Sequence, residues 1–146
     1  MEMAKVADVL REKGRKVFTV NRETTVLEAI KKMSDKNVGG LVVMDGTEIA
    51  GIVTERDYLR KVILQGKSSN ITMVEEIMTD KIIFATPDQS VEECMAVMVE
   101  KSCRHLPVMD QGCLAGVISI LDLTRQMTRE QKTTIKYLQD YIHGKC

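Results

Sequence analysis

Residues 26–62, VLEAIKKMSDKNVGGLVVMDGTEIAGIVTERDYLRKV, align without a gap on residues 91–127, VEECMAVMVEKSCRHLPVMDQGCLAGVISILDLTRQM. The offset is 65 throughout (91 − 26), and Val26/Val91, Met33/Met98, Leu41/Leu106, Gly51/Gly116, Asp57/Asp122 and Arg60/Arg125 are identical across it. A duplicated unit fixes the architecture before any local reading: two equivalent halves, each needing the other to cover its apolar face. Such a pseudo-symmetric pair is also expected to form two related clefts where the halves meet.

Each copy alternates helix and strand periods. In the first half, Val6, Val9 and Leu10 predict a helix over 6–13, stopped by Gly14. A short strand follows at 17–20. Thr25 is placed to cap a helix whose inner face is Val26, Ala29, Ile30 and Met33, spaced i, i+3, i+4, i+7. The apolar run 41–44, the turn signal Asp45-Gly46 and the run 49–53 read as a hairpin. Thr54 then caps a helix from 55 to about 64, closed by Gly66. The second half repeats the pattern: a helix at 73–78, a strand at 82–85, a Ser90-capped helix, strands 106–109 and 114–118, and a Ser119-capped helix. The division expected is one unit over 5–66, a polar linker over 67–72, a second unit over 73–127, and an added segment 128–146. In that segment Ile135, Leu138 and Ile142 predict an amphipathic helix that docks on its own fold or on a second copy.

Composition narrows the function classes. The 146 residues hold 21 Lys+Arg and 21 Asp+Glu, so the chain lacks the basic excess that nucleic-acid or anionic-membrane binding needs. Only 3% of residues are aromatic and Trp is absent, so ten Met and many Val, Ile and Leu must fill the core. Cys94, Cys103, Cys113 and Cys146 show no CxxC spacing, and His105 and His143 complete no zinc pattern. Reduced thiols in a cytoplasmic setting are therefore expected, with an organelle reached by a removed transit peptide as the other placement. The N-terminal stretch has no apolar core of a secretory signal, and no run of about 18 apolar residues occurs.

The runs 51–57, GIVTERD, and 116–122, GVISILD, share the pattern glycine, apolar, any, Thr/Ser, any, any, Asp. Each follows a hairpin, LVVMDG or LPVMDQG. These residues resemble the cystathionine-β-synthase (CBS) domain, and two copies at constant offset resemble the CBS pair called a Bateman module. The likeness covers about residues 5–127 and is greatest to small stand-alone CBS-pair proteins. It implies an α/β (α+β) fold of two β-α-β-β-α units packed through their sheets. It also implies an adenosine-type ligand (AMP, ADP, ATP, S-adenosylmethionine or NAD) in the cleft between units, a homodimer, and a regulated partner protein.

The candidate site residues can be weighed one by one. Thr54 and Ser119 end a strand and begin a helix, where hydroxyl and free N–H groups favour an anion. Asp57 and Asp122 follow three residues on, and a carboxylate suits the vicinal hydroxyls of ribose. The same Ser/Thr-x-x-acid spacing is also a capping box, so the residues alone leave both readings open. Arg56 faces Leu121 across the repeat, and Gly39-Gly40 faces Arg104-His105, so the basic groups are asymmetric. Arg offers a planar fork to phosphate and His a pH-dependent donor. Gly39 and Gly40 either admit a bulky ligand or serve a turn with positive φ. Pro107 lacks an N–H, so it must lie at a sheet edge or break. By resemblance, backbone groups near Thr19 and Val20, and near Ala85 and Thr86, hold the adenine, with Val38 and Cys103 as apolar walls. Arg104 and His105 beside Cys103 could lower its pKa, against the alternative of a buried, inert thiol. No Walker loop, dinucleotide fingerprint, catalytic triad or metal motif is present in the sequence, and no enzyme activity is expected.

Overall fold

The computed structural model describes residues 4–129. The predicted segment carrying Ile135, Leu138 and Ile142, and with it Cys146, lies outside the described residues. The fold is mixed α+β, with two small sheets. The elements run α1 (Val6–Lys13), β1 (Thr19–Asn21), α2 (Val26–Lys36), β2 (Gly40–Asp45), β3 (Glu48–Thr54) and α3 (Glu55–Tyr58), then α4 (Val91–Lys101), β4 (His105–Asp110), β5 (Cys113–Ser119) and α5 (Ile120–Arg129). A π-helical turn, Leu59–Ile63, continues α3, and a 3-10 turn, Val74–Glu76, stands where the helix over 73–78 was predicted.

The compact units divide the chain differently from the repeat boundaries. Among the described residues, one unit is Lys16–Ile83; the other combines 4–15 with 84–129. Thus α1 packs with the second repeat, and the Val74–Glu76 turn packs with the first.

In the 16–83 unit, β1 runs parallel to β2 and β2 antiparallel to β3. Thr25 caps α2 by accepting from the Glu28 N–H at 3.2 Å. Its buried stripe, Val26, Ala29 and Met33, lies on Leu41, Val43 and Val53 of the sheet. Val62, Val74 and Ile77 close that core. The helix predicted to run on from residue 55 widens after Tyr58, where the Leu64 N–H reaches the Leu59 carbonyl, five residues back, at 3.1 Å.

In the other unit, α1 is tied by backbone bonds from Val6 N to the Gln89 carbonyl and from Ala7 N to the Pro87 carbonyl, both 2.9 Å. Val6, Val9 and Leu10 are buried, as are Cys94, Met98, Val108, Ile118 and Leu123. The β4–β5 hairpin repeats β2–β3 down to its irregularity: the register shifts at Val43/Met44 and again at Val108/Met109.

The strand predicted over 82–85 is reduced to one bridge, Ala85↔Val108. Pro107 supplies the reason. In the first repeat the Val42 N–H donates to the Phe18 carbonyl at 3.4 Å, starting the β1–β2 ladder. Pro107 stands at the equivalent position and has no N–H to give. Only the bonds from Ala85 N to the Pro107 carbonyl and from Met109 N to the Ala85 carbonyl, each 2.9 Å, survive. The first-half strand forms, but at Thr19–Asn21 instead of 17–20.

The motif glycines are explained by close approach. A Cβ on Gly51 would lie 2.6 Å from the Thr79 carbonyl oxygen, and one on Gly116 would lie 2.6 Å from Leu10 Cδ2. Each glycine therefore admits the segment that crosses its own sheet: the exit of the 3-10 turn in one unit, α1 in the other.

Candidate functional site

Hairpin register assembles the candidates. Gly40 pairs with Thr54, and His105 pairs with Ser119. The adjacent carbonyls reach over to the helix starts: Glu55 N donates to Gly39 O at 3.1 Å and Ile120 N donates to Arg104 O at 2.9 Å. Each unit thus brings a residue pair at the start of one strand (Gly39-Gly40, or Arg104-His105) to the Thr/Ser-x-x-Asp turn after the next. Gly40 is an extended strand residue, so a left-handed turn is not its role. Arg56 and Arg104 are exposed at these turns, and His105 is half-buried.

Both aspartates form the capping box. Asp57 Oδ2 accepts from Thr54 N at 2.9 Å, while Asp57 N donates to Thr54 Oγ1 at 3.3 Å. Asp122 Oδ2 accepts from Ser119 N at 2.8 Å, while Asp122 N donates to Ser119 Oγ at 3.2 Å. With the first-turn N–H groups of Glu55 and Ile120 also satisfied, most of the anion-binding capacity expected of these helix starts is already used by the protein. The carboxylates keep further capacity, because each cap uses one oxygen of the two.

Two lysines join the aspartates, from non-equivalent positions. Lys13 Nζ donates to Asp122 Oδ2 and to the Val117 carbonyl, both at 2.7 Å. Lys61 Nζ donates to the Ile77 carbonyl at 2.8 Å and lies 3.4 Å from Asp57 Oδ1. Burial pushes the Asp122 carboxyl up, but the Lys13 hydrogen bond and the Ser119 N–H, helped by the Lys13 charge, outweigh it and hold the group below the usual range. Sequence reading missed both lysines. The i, i+4 spacing of Asp57 and Lys61 carried a signal; nothing local linked Lys13 to Asp122.

The remaining candidates are placed as follows. Thr19 and Val20 line an open pocket of about 460 Å³ with Asn21, Thr24, Glu28, Lys32 and Met44, and none of the other candidates lines it. The Thr19 carbonyl accepts from Lys32 Nζ at 2.5 Å. Val38 packs against the core. Ala85 is buried, and Thr86 is drawn into the local turn before α4, with its N–H on Gln89 Oε1 at 2.9 Å and its hydroxyl on Asp88 Oδ1 at 2.6 Å. Burial raises the Cys103 thiol rather than lowering it, so Arg104 and His105 do not activate it. Among the described residues no group of three His, Cys, Asp or Glu is placed to hold a metal, and no helix is long and apolar enough to cross a membrane.

Residues 6–64 and 74–129 each match the CBS domain family. The chain belongs to that family and carries a tandem CBS pair. It is similar to the CBS domain-containing protein CBSX3, mitochondrial, of Arabidopsis thaliana, 39% identical over 152 residues that cover 98% of this chain and 74% of the relative. A solved CBS-domain protein from Burkholderia ambifaria MC40-6 is 51% identical with a TM-score of 0.85, covering 88% of this chain and 96% of that one. The CBS domain pair of protein MJ0100, solved in complex with 5-methylthioadenosine and S-adenosyl-L-methionine, is 25% identical with a TM-score of 0.78, covering 89% of this chain and 100% of that one.

Proposed function

We propose that this CBS pair is a non-catalytic sensor that binds an adenosine nucleotide, AMP-like or NAD, and passes its occupancy to a partner protein. Each compact unit offers one site: Gly39, Gly40, Thr54, Arg56 and Asp57 in one, and Arg104, His105, Ser119 and Asp122 in the other. The observation that carries the reading is a carboxylate suited to ribose with a basic group suited to phosphate at one turn of each unit: Asp57 follows Arg56 directly in the chain, and the hairpin register brings Arg104-His105 to the turn that carries Asp122. Thr19, Val20, Val38, Ala85, Thr86 and Pro107 are assigned to the adenine side. The MJ0100 pair, which holds adenosine-containing ligands, supports the ligand class. The protein acts in a thiol-reducing compartment, the cytoplasm or, as the name of its Arabidopsis relative suggests, the mitochondrion. It acts as a homodimer and takes neither nucleic acid nor membrane as a partner.

A thermal-shift series with AMP, ADP, ATP, NAD and S-adenosylmethionine tests this, together with mass spectrometry for co-purified nucleotide. A ligand at 100 times its Kd adds about 2.7 kcal/mol, a melting shift of roughly 5–10 °C for a chain of this length. No shift with any of the five, and no co-purified nucleotide, sinks the sensor. A second reading, a ligand-independent dimeric adaptor, is favoured by the complete capping boxes at Thr54–Asp57 and Ser119–Asp122. Light scattering should give twice the chain mass under both readings.

A further inference from the structure

We infer that Lys13 is a built-in competitor for the Asp122 site, so that a ribose reaches both oxygens of Asp122 only by displacing it. The inference rests on the ribose role proposed above for Asp122. Asp122 Oδ2 accepts from Ser119 N at 2.8 Å and from Lys13 Nζ at 2.7 Å, which uses both of its lone pairs. A vicinal diol that grips both carboxylate oxygens must take the place of one donor. The Ser119 N–H is fixed in the backbone of the turn; the ammonium is the donor that can leave.

The first repeat lacks this obstacle. Asp57 Oδ2 accepts from Thr54 N at 2.9 Å, and its other close neighbour is the Thr54 hydroxyl at 3.2 Å, a rotor that can turn its proton elsewhere. Lys61 stands off at 3.4 Å from Oδ1 and spends its closest bond on the Ile77 carbonyl. Both aspartates are nearly buried, at 9% and 13% exposed, so distance and not burial separates the two lysines. Asp122 holds its lysine at 2.7 Å, so the pair is poorly screened. Met78, the second repeat's counterpart of Lys13 by the offset of 65 (13 + 65), packs at Gly51 of the first repeat's hairpin, so the lysine has no copy there.

The geometry also gives the site a mechanical connection. Lys13 is the last residue of α1, and the same helix bonds Pro87 and Gln89, next to Thr86, through Ala7 and Val6. Ligand that takes Asp122 from Lys13 releases the C-terminal end of α1 while its first turn stays tied. By linkage, whatever holds α1 in place weakens ligand at this site.

Calorimetry with AMP and with adenosine tests the proposal, using wild type, Asp57→Ala, and Asp57→Ala combined with Lys13→Met. The Asp57 change leaves the Asp122 site as the one read, and Met copies Met78, the residue that stands over the first repeat's hairpin. Removing the competing charge-assisted bond should tighten both AMP and adenosine by about tenfold. If the Met variant does not fold, Lys13→Gln keeps a donor for the Val117 carbonyl without the charge and carries the same prediction. Unchanged affinity overturns the competitor. So does a loss confined to AMP, which makes Lys13 a phosphate contact instead. Binding by wild type with no effect of either Lys13 change overturns this inference alone; no binding by any form overturns it together with the sensor.

Discussion

Lys13 Nζ donates to Asp122 Oδ2 at 2.7 Å across 109 residues of sequence, and the same ammonium closes the Val117 carbonyl at 2.7 Å. One side chain thus joins α1 to the end of β5 and the start of α5. Its counterpart by position, Met78, instead packs at Gly51. The two repeats share a motif and differ in what stands over it.

This pair predicts an acid limb in the stability of the 4–15 and 84–129 unit. Unfolded Asp122 should titrate near the ordinary value of about 3.9, whereas in the fold it ionises below its usual range. A depressed carboxyl stabilises above the unfolded value and loses that contribution as pH falls through the folded one. Asp122→Asn should therefore be less stable than wild type near neutrality, with the gap closing as pH drops below about 4. Urea melts across that range check it; a gap independent of pH would show that the Asp122 charge plays no part.

Asp57→Ala and Asp122→Ala separate ligand contact from capping. A lost cap costs about 0.5–2 kcal/mol of stability. Under the sensor reading each change also abolishes binding at its own site, measured by calorimetry with AMP. Lowered melting points with intact AMP affinity would leave both carboxylates as caps. Arg56→Leu, which copies Leu121, should weaken AMP by roughly ten- to a hundredfold and leave adenosine unchanged.

Gly51→Ala should cost more than Gly116→Ala. The added methyl meets a backbone oxygen, Thr79 O, in the first case and the tip of the Leu10 side chain in the second, each at 2.6 Å. A leucine methyl can rotate away, whereas the Thr79 carbonyl is held by the Ile52 N–H at 3.0 Å. Overpacking costs about 1–3 kcal/mol, and Gly51→Ala belongs at the upper end. Denaturant midpoints of the two variants decide; equal losses would contradict the difference.

Thiol labelling should discriminate among the cysteines. Cys113 is exposed, while burial raises both Cys94 and Cys103 and keeps them protonated at neutral pH. In the native protein Cys113 should react with a maleimide well before Cys94 and Cys103, as read by peptide mass spectrometry. Fast labelling of Cys103 would show activation by Arg104 and His105 after all.

The repeat, the hairpins and the helix caps were legible because they depend on short-range periods. The stripe Val26, Ala29, Met33 and the caps Thr25 and Ser90 form as read, since a 3.6-residue period and a side-chain oxygen next to a first turn act within a few residues. The Thr/Ser-x-x-Asp geometry was legible for the same reason, although the residues could not choose between cap and ligand. Pro107 announced a break in the sheet through its missing N–H, but that the break would reduce a strand to the single bridge at Ala85 depended on the partner strand's register. The partner of α1 was decided by tertiary structure alone. Its stripe of Val6, Val9 and Leu10 could pack on either copy of a duplicated sheet. The space at Gly116, open to Leu10 while Gly51 is filled by Met78 and Thr79, and the charge of Asp122 within reach of Lys13 fix it on the second. Such choices are invisible locally because they are differences between two distant, nearly identical surfaces.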